Sequence, residues 1–309
     1  MSKLAVVAIG GNSLIEDEGD RDGPGQIEAI CASAKYVVDL VVNGWNVVIA
    51  HDNSPLLDRP GEPLPYGSPL SSQWFPASFL AELQGRLGYL IQQALDNELQ
   101  HRGLNRRSAC LLTRLIVSPG DDETTLAQPV RWPPAEAQTT EETEACTTGS
   151  ASNKIEIRTR QEPRELVEQE AIKTLLQAGF IVIAAAGGSI PLVRDGEGGL
   201  RPVKARLHSD LAASFLATQL NADLFLITTT AERVVLFPQQ TGEAYPLDML
   251  TLAELRQYEA DGHFSNKRQQ AQIRAVIRYL ERGGGAALLT CPQAIGRALA
   301  GRTGTWVLP

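Results

Sequence analysis

The sequence predicts an α/β fold in which a mostly parallel β-sheet carries helices on its faces. Short apolar runs alternate with segments of helical periodicity from one end of the chain to the other, which is the pattern of strands joined by crossover helices. Hydrophobic residues make up 43% and charged residues 21% of the 309 residues, as in ordinary globular proteins. A chain of this length folds as one large domain or as two fused lobes.

Buried strands and amphipathic helices alternate in the first part of the chain. Leu4–Ile9 and Val47–Ala50 are short apolar runs that predict buried strands. Between them, apolar residues recur at helical spacing until Asn43-Gly44, a typical helix end. Ala77–Arg102 then carries its leucines on one stripe, which predicts a long helix, and Cys110–Val117 predicts the next strand.

A polar segment divides the chain into two parts. From about residue 120 to 155 the sequence is rich in Thr, Glu, Pro and Ser, which predicts a flap between an N-terminal half of about 1–175 and a C-terminal half of about 176–309. Pro163 is a favoured first-turn residue, so we expect a helix from there through Leu176. The later predicted elements are strand Phe180–Ala185, helix Asp210–Asn221, strand Leu224–Thr228, helices Leu252–Glu259 and Ala271–Arg282, strand Ala286–Thr290, short helix Pro292–Leu299 and strand Thr305–Leu308.

Charge and composition exclude several classes of partner. A net charge of −8 argues against nucleic-acid binding, because phosphate contacts need clustered Lys and Arg. The apolar runs are too short to span a bilayer, and the first residues lack the features of a signal peptide, so we expect a cytoplasmic protein. The four cysteines, at positions 31, 110, 146 and 291, have no metal-ligand or disulfide spacing.

Two pairs of glycines follow predicted strands. They lie in Ala8–Ser13 and in Ala185–Pro191. Glycine at the carboxyl end of a buried strand lets backbone N–H groups approach an anion, and ligands of open parallel sheets bind at that edge. We expect the two turns on adjacent strand ends, facing one cleft; plain tight turns are the alternative. Neither matches the P-loop or the dinucleotide-binding fingerprint.

The motifs taken together resemble those of the carbamate kinases in the amino-acid kinase family. The chain has Ile9-Gly10-Gly11-Asn12 and His51-Asp52-Asn53-Ser54-Pro55, where that family has Gly-Gly-Asn and His-Gly-Asn-Gly-Pro. Ala186-Gly187-Gly188-Ser189-Ile190-Pro191 matches the family's Gly-Gly-Gly-Gly-Ile-Pro turn. The resemblance covers the chain apart from about residues 120–155. It implies a three-layer α/β/α sandwich with a central sheet of about eight mostly parallel strands.

The resemblance also implies a reaction and a set of sites. The family transfers a phosphoryl group between ATP and carbamate with Mg²⁺, giving ADP and carbamoyl phosphate, and is expected to form homodimers. No metal ligands from the protein are expected. By position, phosphate is bound by Gly10, Gly11, Asn12, Gly187 and Gly188, the small-molecule acceptor by His51, Asp52, Asn53 and Ser54, and the nucleotide by Thr229 and Thr230, while Asp210, Ser209 and Gln272 occupy catalytic positions.

Several of these positions depart from the family pattern. The family's Asp-Lys-Asp is His208-Ser209-Asp210 here, and gapless alignment places Gln272 at a second family lysine. Asp52 and Ser54 replace two glycines of the acceptor motif. Because stabilising the charge of the transferring phosphoryl group is the protein's main catalytic contribution, these changes predict weak or lost carbamate kinase activity.

Three readings of the chain follow from these departures. It is a weakened carbamate kinase, or a non-catalytic member that binds a nucleotide or carbamoyl metabolite or serves as a partner subunit, or an enzyme acting on another small carboxylate or carbamoyl compound. The third reading requires that other cations replace the missing lysines from new positions. Alternatively, these cations are solvated charges on the protein surface. The cations near the altered positions are Lys204, Arg206, His208, Lys267 and Arg268, with Arg131 a candidate for the family's lid lysine.

Overall fold

The computed structural model describes residues 3–14, 24–53, 75–118, 162–203, 207–236, 244–264 and 266–309. The predicted flap at about 120–155 lies outside these residues. The same is true of four predicted site or cation positions, Ser54, Arg131, Lys204 and Arg206.

Strands and helices alternate along the described chain, as predicted. The strands are β1 (Leu4–Ile9), β2 (Asn46–His51), β3 (Ser108–Cys110), β4 (Arg114–Val117), β5 (Pro163–Leu166), β6 (Ile181–Ile183), β7 (Ile190–Arg194), β8 (Leu200–Pro202), β9 (Leu224–Thr228), β10 (Val235–Leu236), β11 (Tyr245–Pro246), β12 (Met249–Thr251), β13 (Ala286–Thr290) and β14 (Thr305–Leu308). The α-helices are α1 (Pro24–Val42), α2 (Phe75–His101), α3 (Gln169–Gln177), α4 (Ser209–Gln219), α5 (Leu252–Ala260), α6 (Lys267–Glu281) and α7 (Ile295–Leu299). None of these helices has the length and apolar character needed to cross a membrane.

An eight-stranded sheet forms the centre of the described fold. Its strand order is β12-β14-β13-β9-β1-β2-β6-β3. Neighbouring strands run parallel except β13 and β14, which pair antiparallel. This confirms the predicted mostly parallel sheet of about eight strands. Since β1, β2, β6 and β9 are parallel, the loops that follow them meet at one edge of the sheet, which we call the carboxyl edge.

Side chains of the central strands alternate between two apolar cores. On β1, Val6 and Ala8 belong to a core that contains residues of α4 and α6, whereas Val7 and Ile9 belong to a core that contains residues of α1, α2 and α7. All four are at most 4% exposed. Successive side chains of a strand point to opposite faces, so the sheet lies between two helical layers. This confirms the three-layer α/β/α sandwich.

A second sheet, with the order β5-β4-β7-β8, corrects two predictions. The single strand predicted at Cys110–Val117 is in fact two, because the chain leaves the central sheet after β3 and joins the second sheet as β4. Thr113 breaks the run: it is fully buried, and its N–H donates to Gln84 Oε1 at 2.8 Å instead of continuing a ladder. Pro163 opens an edge strand, where a missing N–H is tolerated, and the helix predicted from it starts only at Gln169. Strands β7 and β8 were not predicted.

Candidate active site

The carboxyl edge of the central sheet brings the two predicted glycine turns together. Gly10 follows β1, and Ala186–Gly188 forms a single 3-10 turn after β6. The prediction that they lie on adjacent strands is wrong, because β2 separates β1 from β6. Asn53, which follows β2, connects this strand end to the second turn. A Cβ atom at Gly187 would lie 2.3 Å from Asn53 Nδ2, so the Asn53 amide packs directly against the second turn.

The first turn is closed in by two other segments. The Gly10 N–H donates to Thr228 Oγ1 at 2.8 Å, and Ser13 Oγ lies 3.0 Å from the same oxygen. A Cβ atom at Gly10 would lie 2.9 Å from the Thr228 carbonyl oxygen and 3.0 Å from Arg268 Nη2. Only glycine fits between these groups. Arg268 therefore places its guanidinium directly beside the predicted phosphate-binding turn.

The position of Arg268 corrects a prediction about helix α6. The helix was expected to begin at Ala271, but it begins at Lys267, with Asn266 as N-cap accepting a hydrogen bond from Arg268 N. Lys267 is exposed whereas Arg268 is half-buried, so the reading as a solvated surface charge is wrong for Arg268. Gln272, which the motif resemblance aligns with a lysine, lies one turn further along the same helix and is 5% exposed. An Asn directly before the charged residues is the sequence signal that predicts the earlier start.

A buried carboxyl faces Arg268 from the start of α4. The N-cap of this helix is His208, whose Nδ1 accepts a hydrogen bond from Asp210 N at 3.3 Å. Burial raises the pKa of Asp210 to about 7, and the nearby Asp52 carboxylate adds to the rise while Arg268 opposes it. Asp210 is thus within electrostatic reach of both residues. Ser209, which the motif resemblance aligns with a second lysine, is half-buried beside it.

The end of β2 contributes three consecutive buried polar residues. His51, Asp52 and Asn53 are 1%, 9% and 0% exposed. Burial lowers the pKa of His51 to about 4, although Asp52 and Asn53 oppose the shift, so the imidazole is neutral at physiological pH. Both ring nitrogens of His51 and both polar atoms of the Asn53 amide lack hydrogen-bond partners of normal geometry in the described structure. His51 and Asn53 interact with each other, and a ligand or water can complete their hydrogen bonding.

The turn after β6 is held in an unusual backbone conformation. Positive φ angles occur at Ala185 (54°), Gly187 (58°), Gly188 (87°) and Ser189 (66°). Ala185 N donates to Thr113 Oγ1 at 2.7 Å, and a Cβ atom at Gly188 would lie 2.2 Å from the Leu207 carbonyl oxygen. Leu207, close before α4, therefore packs on this turn. Ser189 is the residue of this turn that sequence reasoning missed.

Close packing, hydrogen bonds and electrostatic interactions link most of the predicted site residues into one group. The series runs from Gly187 through Asn53 and Asp52 to Asp210, then to Arg268, Gly10 and Thr228. Thr229 and Thr230 instead line a cavity of about 170 Å³ with Ser13 and Cys291, which borders the first turn through Ser13. The described residues contain no cluster of three or more His, Cys, Asp or Glu side chains suited to a metal ion. Among the described residues, the arrangement combines Arg268, the carboxyl groups of Asp52 and Asp210, and two glycine turns at the carboxyl edge.

Comparisons with known proteins place the chain in a family. Residues 127–290 match the model of the amino acid kinase family. The chain is 34% identical to the carbamate kinase-like protein YahI of Escherichia coli, over 100% of this chain and 99% of that protein. It is 31% identical to carbamate kinase of Pyrococcus furiosus, over 100% of each chain. The structure of Giardia lamblia carbamate kinase bound to AMP-PNP superposes with a TM-score of 0.78 at 24% identity, covering 99% of this chain and 98% of that one. The chain belongs to the amino acid kinase family, in its carbamate kinase-like group.

Proposed function

We propose that this chain transfers a phosphoryl group between ATP and a small carbamate-like acceptor at the carboxyl edge. In the direction of synthesis, an oxygen of the acceptor attacks the γ-phosphorus of ATP. The bond between that phosphorus and the oxygen of ADP breaks, so that carbamate becomes carbamoyl phosphate and ADP leaves. The observation that carries the proposal is the Arg268 guanidinium, whose Nη2 lies 3.0 Å from the Cβ position of Gly10. Relatives named carbamate kinase and a neighbour bound to AMP-PNP support the reaction class and the nucleotide.

Arg268 provides the charge that the two altered lysine positions lack. A transferring phosphoryl group carries negative charge on its equatorial oxygens, and a fixed cation beside them lowers the barrier. Arg268 precedes Gln272 by one turn, so both residues lie on the same side of α6. We infer that the cation of this site has moved by one helical turn. The Gly11 backbone would bind the phosphate beside Arg268, because the Gly10 N–H already donates to Thr228.

Asp210 acts in this proposal as a positioning residue. Its buried carboxyl lies within electrostatic reach of Arg268, and an ionised carboxylate there orients the guanidinium. Mg²⁺ enters with the nucleotide phosphates, as is usual for this ion. We place the acceptor beside His51–Asn53 in the N-terminal half of about 1–175, and the nucleotide beside Thr229 and Thr230 in the C-terminal half.

We expect the turnover to be slow. Loss of one cationic group costs about 10³-fold or more in related phosphoryl transfers, and Ser209 and Gln272 leave two lysine positions without charge. Asp52 adds a second carboxylate within reach of Asp210. This like-charge pair favours one alternative, a non-catalytic member that binds a nucleotide or a carbamoyl metabolite.

The experiment measures ATP formed from ADP and carbamoyl phosphate by purified protein. Wild type should form ATP slowly, and Arg268→Gln should lower the rate by about 10²-fold or more. Lys267→Gln is the matched control, because Lys267 is the exposed neighbour of Arg268 on the same helix, and it should change the rate less than about twofold. Adding lysine through Ser209→Lys with Gln272→Lys should raise the rate more than either change alone.

Two outcomes would redirect the proposal. An active wild type whose rate is the same in Arg268→Gln would show that another cation serves the site. Binding of ADP by calorimetry, without any ATP formation by wild type or by the lysine variants, would favour the non-catalytic alternative.

A further inference from the structure

Ser189 carries two unfavourable features at one position. Its backbone has φ 66° and ψ 176°, a region that is essentially restricted to glycine because a Cβ atom is strained there. Its side chain is also buried, with the residue 1% exposed, and its Oγ has no hydrogen-bond partner in the described structure. A glycine would remove both costs, and glycine is the residue that the family turn has at this place.

Strain and unsatisfied polar groups in one buried residue point to a ligand contact. Backbone outliers persist where the surrounding structure enforces them and are concentrated at ligand-binding sites. A buried hydroxyl without a partner loses its hydrogen bonds to water. The turn containing Ser189 borders the acceptor end of the cleft, because Gly187 packs against Asn53. A ligand that bonds to the hydroxyl recovers the lost interaction.

The neighbouring unsatisfied groups define what such a ligand must offer. The Asn53 amide and the neutral His51 imidazole interact with each other, but none of their buried polar atoms makes a hydrogen bond of normal geometry. Even when one N–H of the pair is directed at the other residue, the pair still presents N–H donors and an acceptor. A ligand group with acceptor oxygens only would leave that acceptor unpaired. A group that contains both N–H and C=O satisfies both kinds of atom.

We propose that Ser189 is a specificity-determining residue that binds, together with Asn53 and His51, the N–H-bearing carbamoyl group of a small ligand. The inference rests on the proposed function for the location of the acceptor, but not on turnover. The hydroxyl distinguishes a carbamoyl group from an acyl group of the same shape, because a site built to bond an N–H group rejects an analogue without it.

Two small phosphates of the same charge form the probe pair. Carbamoyl phosphate and acetyl phosphate differ only in an NH₂ group against a CH₃ group. Calorimetry with freshly dissolved probes measures the affinity of each for wild type, Ser189→Ala and Ser189→Gly. Wild type should prefer carbamoyl phosphate by about tenfold or more, and both variants should reduce that preference by about 5- to 10-fold.

Thermal unfolding of the ligand-free proteins separates a binding role from a structural one. Ser189→Gly relieves the backbone strain and should raise Tm by about 2–4 °C, whereas Ser189→Ala keeps the strain and should not. Higher stability with lower selectivity in Ser189→Gly supports the proposal. An unchanged preference in both variants overturns it, as does a wild type that binds neither probe or prefers acetyl phosphate. Selective binding without ATP formation would instead contradict the proposed catalytic function and leave the role of Ser189 intact.

Discussion

Replacing Asp210 with asparagine should remove a pH-dependent loss of stability. In the unfolded chain this carboxyl has its ordinary pKa of 3.8, while burial and Asp52 raise the folded value to about 7. Between these two values the folded protein holds a proton that the unfolded chain has released. Stability therefore falls as the pH rises through this window, by about 1.4 kcal/mol per pH unit. Below about pH 4 and above about pH 7 the contribution is constant.

The assay compares urea unfolding of wild type and Asp210→Asn at several pH values. Relative to the variant, the wild-type free energy of unfolding should fall by about 2.5 kcal/mol between pH 5 and pH 7 and change little above pH 8. Comparing the two proteins cancels the titration of shared groups that do not interact with Asp210. Glu28→Gln, which removes an exposed carboxylate on α1, is the matched control for the loss of one carboxyl group. The reasoning would be refuted if the free energy of unfolding of wild type, relative to that of Asp210→Asn, stayed constant or rose between pH 5 and pH 7.

Three further predictions concern single residues. His51→Asn removes an imidazole whose pKa is lowered from 6.5 to about 4. In urea unfolding, wild type should therefore lose stability relative to the variant as the pH falls from 6.5 to 4. A gain of stability over this range would contradict the lowered pKa. Gly188→Ala places a Cβ 2.2 Å from the Leu207 carbonyl oxygen at φ 87° and should lower the free energy of unfolding by about 2–4 kcal/mol. The control Gly85→Ala, on an exposed helical site with open space, should raise it by up to about 1 kcal/mol. Equal effects of the two changes would contradict the close packing of Gly188 against Leu207. Tyr279→Phe removes the hydroxyl that donates to the Ala222 carbonyl and accepts from Gly285 N and should cost about 1–3 kcal/mol by the same measurement, so a loss below about 0.5 kcal/mol would show that water replaces it.

The central sheet was predictable because its strands are buried on both faces. Val6, Val48 and Phe225 are fully buried, and such strands appear in the sequence as short continuous apolar runs. Once the strands are parallel, their carboxyl ends share an edge, so the meeting of the two glycine turns follows from topology. Strand β2 was predicted, but its position between β1 and β6 was missed, because strand order depends on packing between elements that are distant in the sequence.

Tertiary contacts account for the strand and helix boundaries that were wrong. The apolar run around Leu111 contains no Gly or Pro, and its break at Thr113 depends on hydrogen bonds with Gln84 and Ala185. Pro163 suits a first helical turn or an edge strand equally well, and its pairing with β4 decides between them. The role of Ser189 also required the structure, since a serine after two glycines reveals neither its φ angle nor its burial.

The candidate site depends on contacts between parts of the chain that are remote in sequence. Gly10 and Thr228, whose hydrogen bond closes the first turn, are 218 residues apart. Closing so long a loop has a large entropic cost that must be met before the contact forms, and proteins dominated by such contacts fold slowly. The cleft should therefore be among the last parts to assemble during refolding, and an intermediate that already contains helices should still be unable to bind nucleotide.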